Sequence, residues 1–151
     1  MPVSARWLSG LGAGAFLLPT SLLVMGYGTV GALLVLPALL CTVACFVPPF
    51  FSDPKRLRVA CTVAGVVVAL VSAPFAFLGM IFAIPFWYGT VYLAFLALPV
   101  TAIAGLSAGF QRARGRERGR ATARFAWAAG AFALVGWMAL AGVAITLPPT
   151  S

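Results

Sequence analysis

The sequence predicts an all-α integral membrane protein: five transmembrane helices, arranged as two helical hairpins that return to the cytoplasm and a fifth helix that does not. Three observations support this. First, no Lys, Arg, Asp, Glu or His lies in 7–52, 59–111 or 125–151. Each crossing of a hydrocarbon core takes roughly 20 helical residues, so these stretches hold about two, two and one spans. Second, the 151 residues are 63% hydrophobic and 8% charged, with mean hydropathy +1.10. A soluble domain carries about a quarter of its residues charged, so the composition excludes a water-soluble fold. Third, apolar runs such as Val66-Val67-Val68-Ala69-Leu70-Val71 do not alternate with polar residues, which excludes a β-barrel as the spanning structure.

Taken in order, the spans fall at about 7–26, 30–49, 54–84, 88–110 and 124–147, within one domain covering 1–151. The first follows Arg6. No small-x-small cleavage site with a polar region behind it precedes Val30, so this stretch is read as a helix and not as a secretory signal. The third has the clearest start: Asp53 caps free backbone N–H groups and Pro54 suits the first helical position, which leaves Lys55, Arg56 and Arg58 at the interface. Between the fourth and fifth spans, 111–124 carries arginines at every second position from 112 to 120, with Gly115 and Gly119 between them. It is read as an extended basic cytoplasmic loop.

The ten basic residues form three clusters: Arg6; Lys55, Arg56 and Arg58; and Arg112, Arg114, Arg116, Arg118, Arg120 and Arg124. An even number of spans separates successive clusters, so all three share one face, and the excess of basic residues makes that face cytoplasmic. The expected location is the plasma membrane, with the amino terminus inside and the carboxyl terminus outside. Aromatic belts agree, since Trp7 and Trp127 fall at the inner boundary and Tyr27, Trp87 and Tyr88 at the outer turns. Trp137, in the middle of the fifth span, fits no belt and is expected to pack against a neighbouring helix.

A candidate parallel repeat sets 15–30 beside 76–91, with Ala15-Phe16-Leu17 matching Ala76-Phe77-Leu78 and Tyr27-Gly28-Thr29-Val30 matching Tyr88-Gly89-Thr90-Val91.

Gly10 and Gly14, and Gly105 and Gly109, are small residues four apart that let helix backbones approach closely in lipid. They are candidates for an oligomer or partner interface, although packing within the bundle is the simpler reading. Arg112, Arg114, Arg116, Arg118, Arg120 and Arg124 are candidate contacts for anionic lipid or a partner, against the simpler reading of a topological anchor. Nucleic acid is not an expected partner. Pro19, Pro37, Pro74, Pro85 and Pro99 lie within or at the ends of spans and are candidate bends. Cys41, Cys45 and Cys61 are expected to be buried, reduced thiols.

There is no His, and the only carboxylate side chains are Asp53 and Glu117, so no catalytic residue, metal site or cofactor is expected. The expected function is therefore non-enzymatic: a small multi-pass protein acting through helix–helix association as a subunit, scaffold or regulator of a membrane complex. Its partners would be the anionic headgroups of the cytoplasmic leaflet and either a second copy or another membrane protein. The alternative is an oligomeric transporter or channel for an uncharged or lipophilic small molecule, which a polar stripe of Thr20, Ser21, Thr101 and Ser107 around one cavity would favour.

Overall fold

A computed structural model describes residues 3–26, 28–82, 86–115 and 119–146. These residues form five α-helices: α1 (Val3–Gly26), α2 (Gly28–Phe46), α3 (Pro54–Phe82), α4 (Phe86–Ala113) and α5 (Gly119–Thr146). One 3-10 turn lies at Pro48–Phe50, and the described residues contain no strand. Every predicted helix is present, with ends shifted by at most five residues.

The largest shift corrects the basic loop. Instead of an extended segment over 111–124, α4 runs on to Ala113 and α5 begins at Gly119. Gln and Arg are good helix formers, so the segment joins its neighbouring helices wherever glycine does not stop it. Gly115 does stop it: its φ of +72° lies in the left-handed region that ends helices, and the N–H groups of Arg114 and Gly115 donate to the carbonyls of Gln111 and Arg112. Across the gap, Thr122 Oγ1 donates to Gln111 Oε1 at 3.2 Å and ties the two helix ends together.

The start of α3 follows the capping pattern. Asp53 Oδ1 accepts the N–H of Lys55 at 3.0 Å, its carbonyl accepts that of Leu57 at 2.9 Å, and Pro54 occupies the first helical position. Helices α2, α3 and α4 continue through Pro37, Pro74 and Pro99. Pro85 lies outside the described residues.

Helices α1 and α4 run antiparallel at the centre, Ala5 level with Gly109 and Leu8 with Gly105. Helices α2 and α3 pack together and complete the ring α1–α2–α3–α4, while α5 lies along α4 and α1. A duplicated α1–α2 hairpin would give this ring order, as would any antiparallel four-helix bundle. Tyr27, which begins the first copy of the repeated quartet, lies outside the described residues; Trp87 and Tyr88 fall in the first turn of α4.

The core joins Phe16 of α1, Cys41 and Cys45 of α2, Leu98 and Leu106 of α4 and Trp137 of α5 with one seam of α3, Leu57, Cys61, Ala64 and Val68. Those four recur at helical spacing and leave the other faces of α3 uncovered, with Val59, Val63, Val66, Leu70 and Phe77 exposed. Trp137 packs as the sequence predicts, edge-on to Phe95 with ring centroids 4.9 Å apart. All three cysteines are buried and unbridged.

Two described stretches, Pro54–Leu78 and Leu93–Ala113, are long and apolar enough to cross a bilayer, at mean hydropathies of 2.2 and 1.9. At 1.5 Å per residue, their 25 and 21 residues reach about 30 Å or more. These two helices associate the chain with a membrane by length and composition.

Replacing Asp53 by Ala should destabilise the fold by about 1 kcal/mol through loss of the cap, while Asp53→Asn keeps an acceptor and most of that stability. Thermal unfolding of the two detergent-solubilised variants checks this; equal melting temperatures would show that the cap contributes nothing.

Candidate functional site

Contacts bring the three basic clusters to one end of the bundle. Arg6 Nε donates to the carbonyl of Pro49 at 2.6 Å, which seats the α2–α3 turn against the start of α1. Gly109, near the end of α4, lies against Ala5 and Ser9, and α5 starts beside Arg112. The described charged residues therefore gather where α1, α3 and α5 begin and α2 and α4 end, with two helices between successive clusters. Arg116, Glu117 and Arg118 lie outside the described residues.

A cleft of about 400 Å³ opens at this end between α1, α4 and α5. Its floor is apolar, formed by Leu8 and Ala123, which pack with Ala108 in a small cluster separate from the main core. Arg112 from the end of α4 and Arg120 and Arg124 from the first turns of α5 also line it and are its only charged residues among those described. Trp7 and Trp127 line it as well and are 75% and 60% exposed. Arg114 is not part of it, because its guanidinium lies over the Phe110 ring, 5.8 Å from the centroid.

So of the six arginines singled out in the sequence, three converge. As a single helix, 112–124 would spread its arginines around the axis. Divided between two helices, Arg112 faces a pair four residues apart on one side of α5. The spacing of Arg120, Arg124 and Trp127 is the signal that could have identified this face. The two tryptophans, read from the sequence only as interfacial anchors, line it too.

The glycines divide differently. A Cβ on Gly105 would stand 2.6 Å from the Leu8 carbonyl oxygen, and one on Gly109 would stand 3.1 Å from that of Ala5, so both serve the α1–α4 crossing. Gly10 lies against the Pro49 ring. Gly14 is exposed, with nothing within 4 Å of where its Cβ would be. The closest approach on α1 belongs to Gly12, absent from the spaced pairs: a Cβ there would lie 2.7 Å from Ala102 Cβ and 2.9 Å from Cys45 Sγ. Three of the four candidate glycines thus pack within the chain.

The hydroxyls named for a transport pathway differ in burial and in what they bond. Thr20 and Thr101 are buried and donate to the carbonyls of Phe16 and Ala97 one turn earlier, each at 2.6 Å. Ser107 donates to Ala104 at 2.9 Å, and Ser21 is exposed. Among the described residues, no group of three or more His, Cys, Asp or Glu could hold a metal ion.

No family model matches the chain, and neither a curated protein nor a solved structure matches it.

Because the neighbour of Gly105 is backbone, which cannot rotate away, Gly105→Ala should destabilise the bundle by about 1–3 kcal/mol. Gly14→Ala should be neutral. Melting curves of the pair in one detergent test the crossing; equal stability of the two variants would remove it.

Proposed function

We propose that the chain is a five-pass plasma-membrane protein, amino terminus inside and carboxyl terminus outside, that works without catalysis. It acts through helix–helix association as a subunit, scaffold or regulator of a membrane complex. One observation carries this reading: five hydroxyls along the apolar lengths of the helices are bonded to their own backbone. Thr42, Thr62 and Ser72 donate to the carbonyl four residues earlier, as Thr20 and Thr101 do. Hydroxyls held this way present no polar constellation to a substrate, and the apolar helix surface is what remains for recognition.

The exposed faces support the same reading. Only 17% of the apolar window of α3 is buried, against 56% in α4, and its outward side chains are Val, Leu and Phe. In water each large side chain left exposed forgoes about 1.5–3 kcal/mol of burial, whereas in lipid it loses nothing. The basic end, with the turn at Pro48–Phe50, is the face assigned to the cytoplasm.

Reporter fusions after Arg114 and after Ser151 should give an inside and an outside signal respectively; the same side for both would remove the fifth span. Extraction in native lipid nanodiscs should give a particle heavier than one polypeptide. A stoichiometric second protein supports the subunit role, a pure homo-oligomer favours the transport alternative, and a strict monomer defeats association altogether.

A further inference from the structure

We infer that the cleft between α1, α4 and α5 binds the headgroup of a single anionic phospholipid, its phosphate held by Arg112, Arg120 and Arg124. This rests on the membrane reading above and goes beyond it by assigning a ligand class to a defined site.

Other arginines at this end are already committed. Arg6 donates to Pro49, Arg58 Nε donates to the Pro54 carbonyl at 3.2 Å, Arg56 faces Asp53 at 3.9 Å and Arg114 lies over Phe110. Among the described residues, the three guanidinium groups of the cleft have neither a carboxylate nor a carbonyl acceptor. Like charges gathered at one cleft repel unless an anion lies between them. A phosphate oxygen set suits the fork of each guanidinium, which donates two parallel hydrogen bonds.

The surroundings select a lipid over a free anion. Trp7 of α1 and Trp127 of α5 both line the cleft, and indole rings belong at the headgroup level. Beyond Arg120 and Arg124, the same face of α5 continues as Trp127, Ala131, Leu134 and Met138, all exposed and three or four residues apart. That strip leads from the guanidinium groups along the apolar length of the helix, where an acyl chain attached to the bound phosphate would lie. Free phosphate would use the arginines and gain nothing from the strip. The cleft volume of about 400 Å³ falls within the range of small-ligand sites.

The test is native mass spectrometry of the full chain, released from detergent after exchange with phosphatidylglycerol, phosphatidylcholine or inorganic phosphate. One phosphatidylglycerol per polypeptide should be retained and phosphatidylcholine should not. Arg120→Gln, at an exposed position, should weaken retention about fivefold, and the triple replacement of Arg112, Arg120 and Arg124 by Gln roughly a hundredfold. Replacing Lys55, Arg56 and Arg58 by Gln removes equal charge from the same end and should change nothing. Equal retention of phosphatidylcholine, or equal loss in the control triple, overturns the site. Displacement of the lipid by inorganic phosphate on equal terms overturns the lipid assignment. If the cleft triple does not fold, Arg120→Gln alone decides, and unaltered retention in it overturns the proposal. Recovery of the chain without detergent would defeat both readings, whereas an embedded chain that holds no anionic lipid defeats the site alone.

Discussion

The crossing of α1 over α4 sets the positions of most other parts. At Gly12, Gly105 and Gly109 the two backbones come so close that a single added methyl group would meet backbone or a core side chain. Attraction between helices in an apolar solvent is dispersion, which fades within an ångström of optimal contact, so close approach is itself the source of stability. The crossing also fixes the α2–α3 turn, because Gly10 and Arg6 on the same helix hold Pro49. The cleft depends on it as well: Trp7 and Leu8 come from α1 and Arg112 from α4, so their spacing is the spacing of those two helices.

Much of the helical order was legible in the sequence, for physical reasons that can be traced. Charges punctuate the chain, and Asp53-Pro54 marks the start of α3 to the residue because cap and ring each satisfy a specific backbone need. Which helices would be neighbours was not legible. Helices that are apolar on every side carry no amphipathic stripe to reveal the buried face. For the same reason spacing identified Gly10 and Gly14 while the tightest contact of any α1 glycine fell to Gly12, since only the rotation of α1 about its axis distinguishes them. The arginine cleft was half legible. Its residues stood out by charge, but their convergence depends on Gly115 ending α4 where it does.

Polar atoms inside the bundle follow one pattern, with the hydroxyls of Thr20, Thr42, Thr62 and Thr101 turned back on the preceding turn. Trp137 is the exception, its Nε1 buried without an acceptor among the described residues. An unmet buried donor costs about 1–3 kcal/mol. The edge-on contact with Phe95 and the burial of the indole ring offset that penalty. The main core and the basic end are thus held by different means, dispersion and ring contacts in one, and caps, carbonyl contacts and guanidinium placement in the other.

The central crossing also has a consequence in time. Gly12 and Ala102 meet across some 90 residues of chain, so α1 is made long before its main partner exists. At synthesis rates of about 5–20 residues per second, that delay is on the order of 5–20 s. Through this interval the seam of Ala5, Leu8, Ser9 and Gly12 has only α2 and then α3 for company. The nascent chain therefore passes through a stage in which its most adhesive surface is open to other helices, and closure must await the arrival of α4.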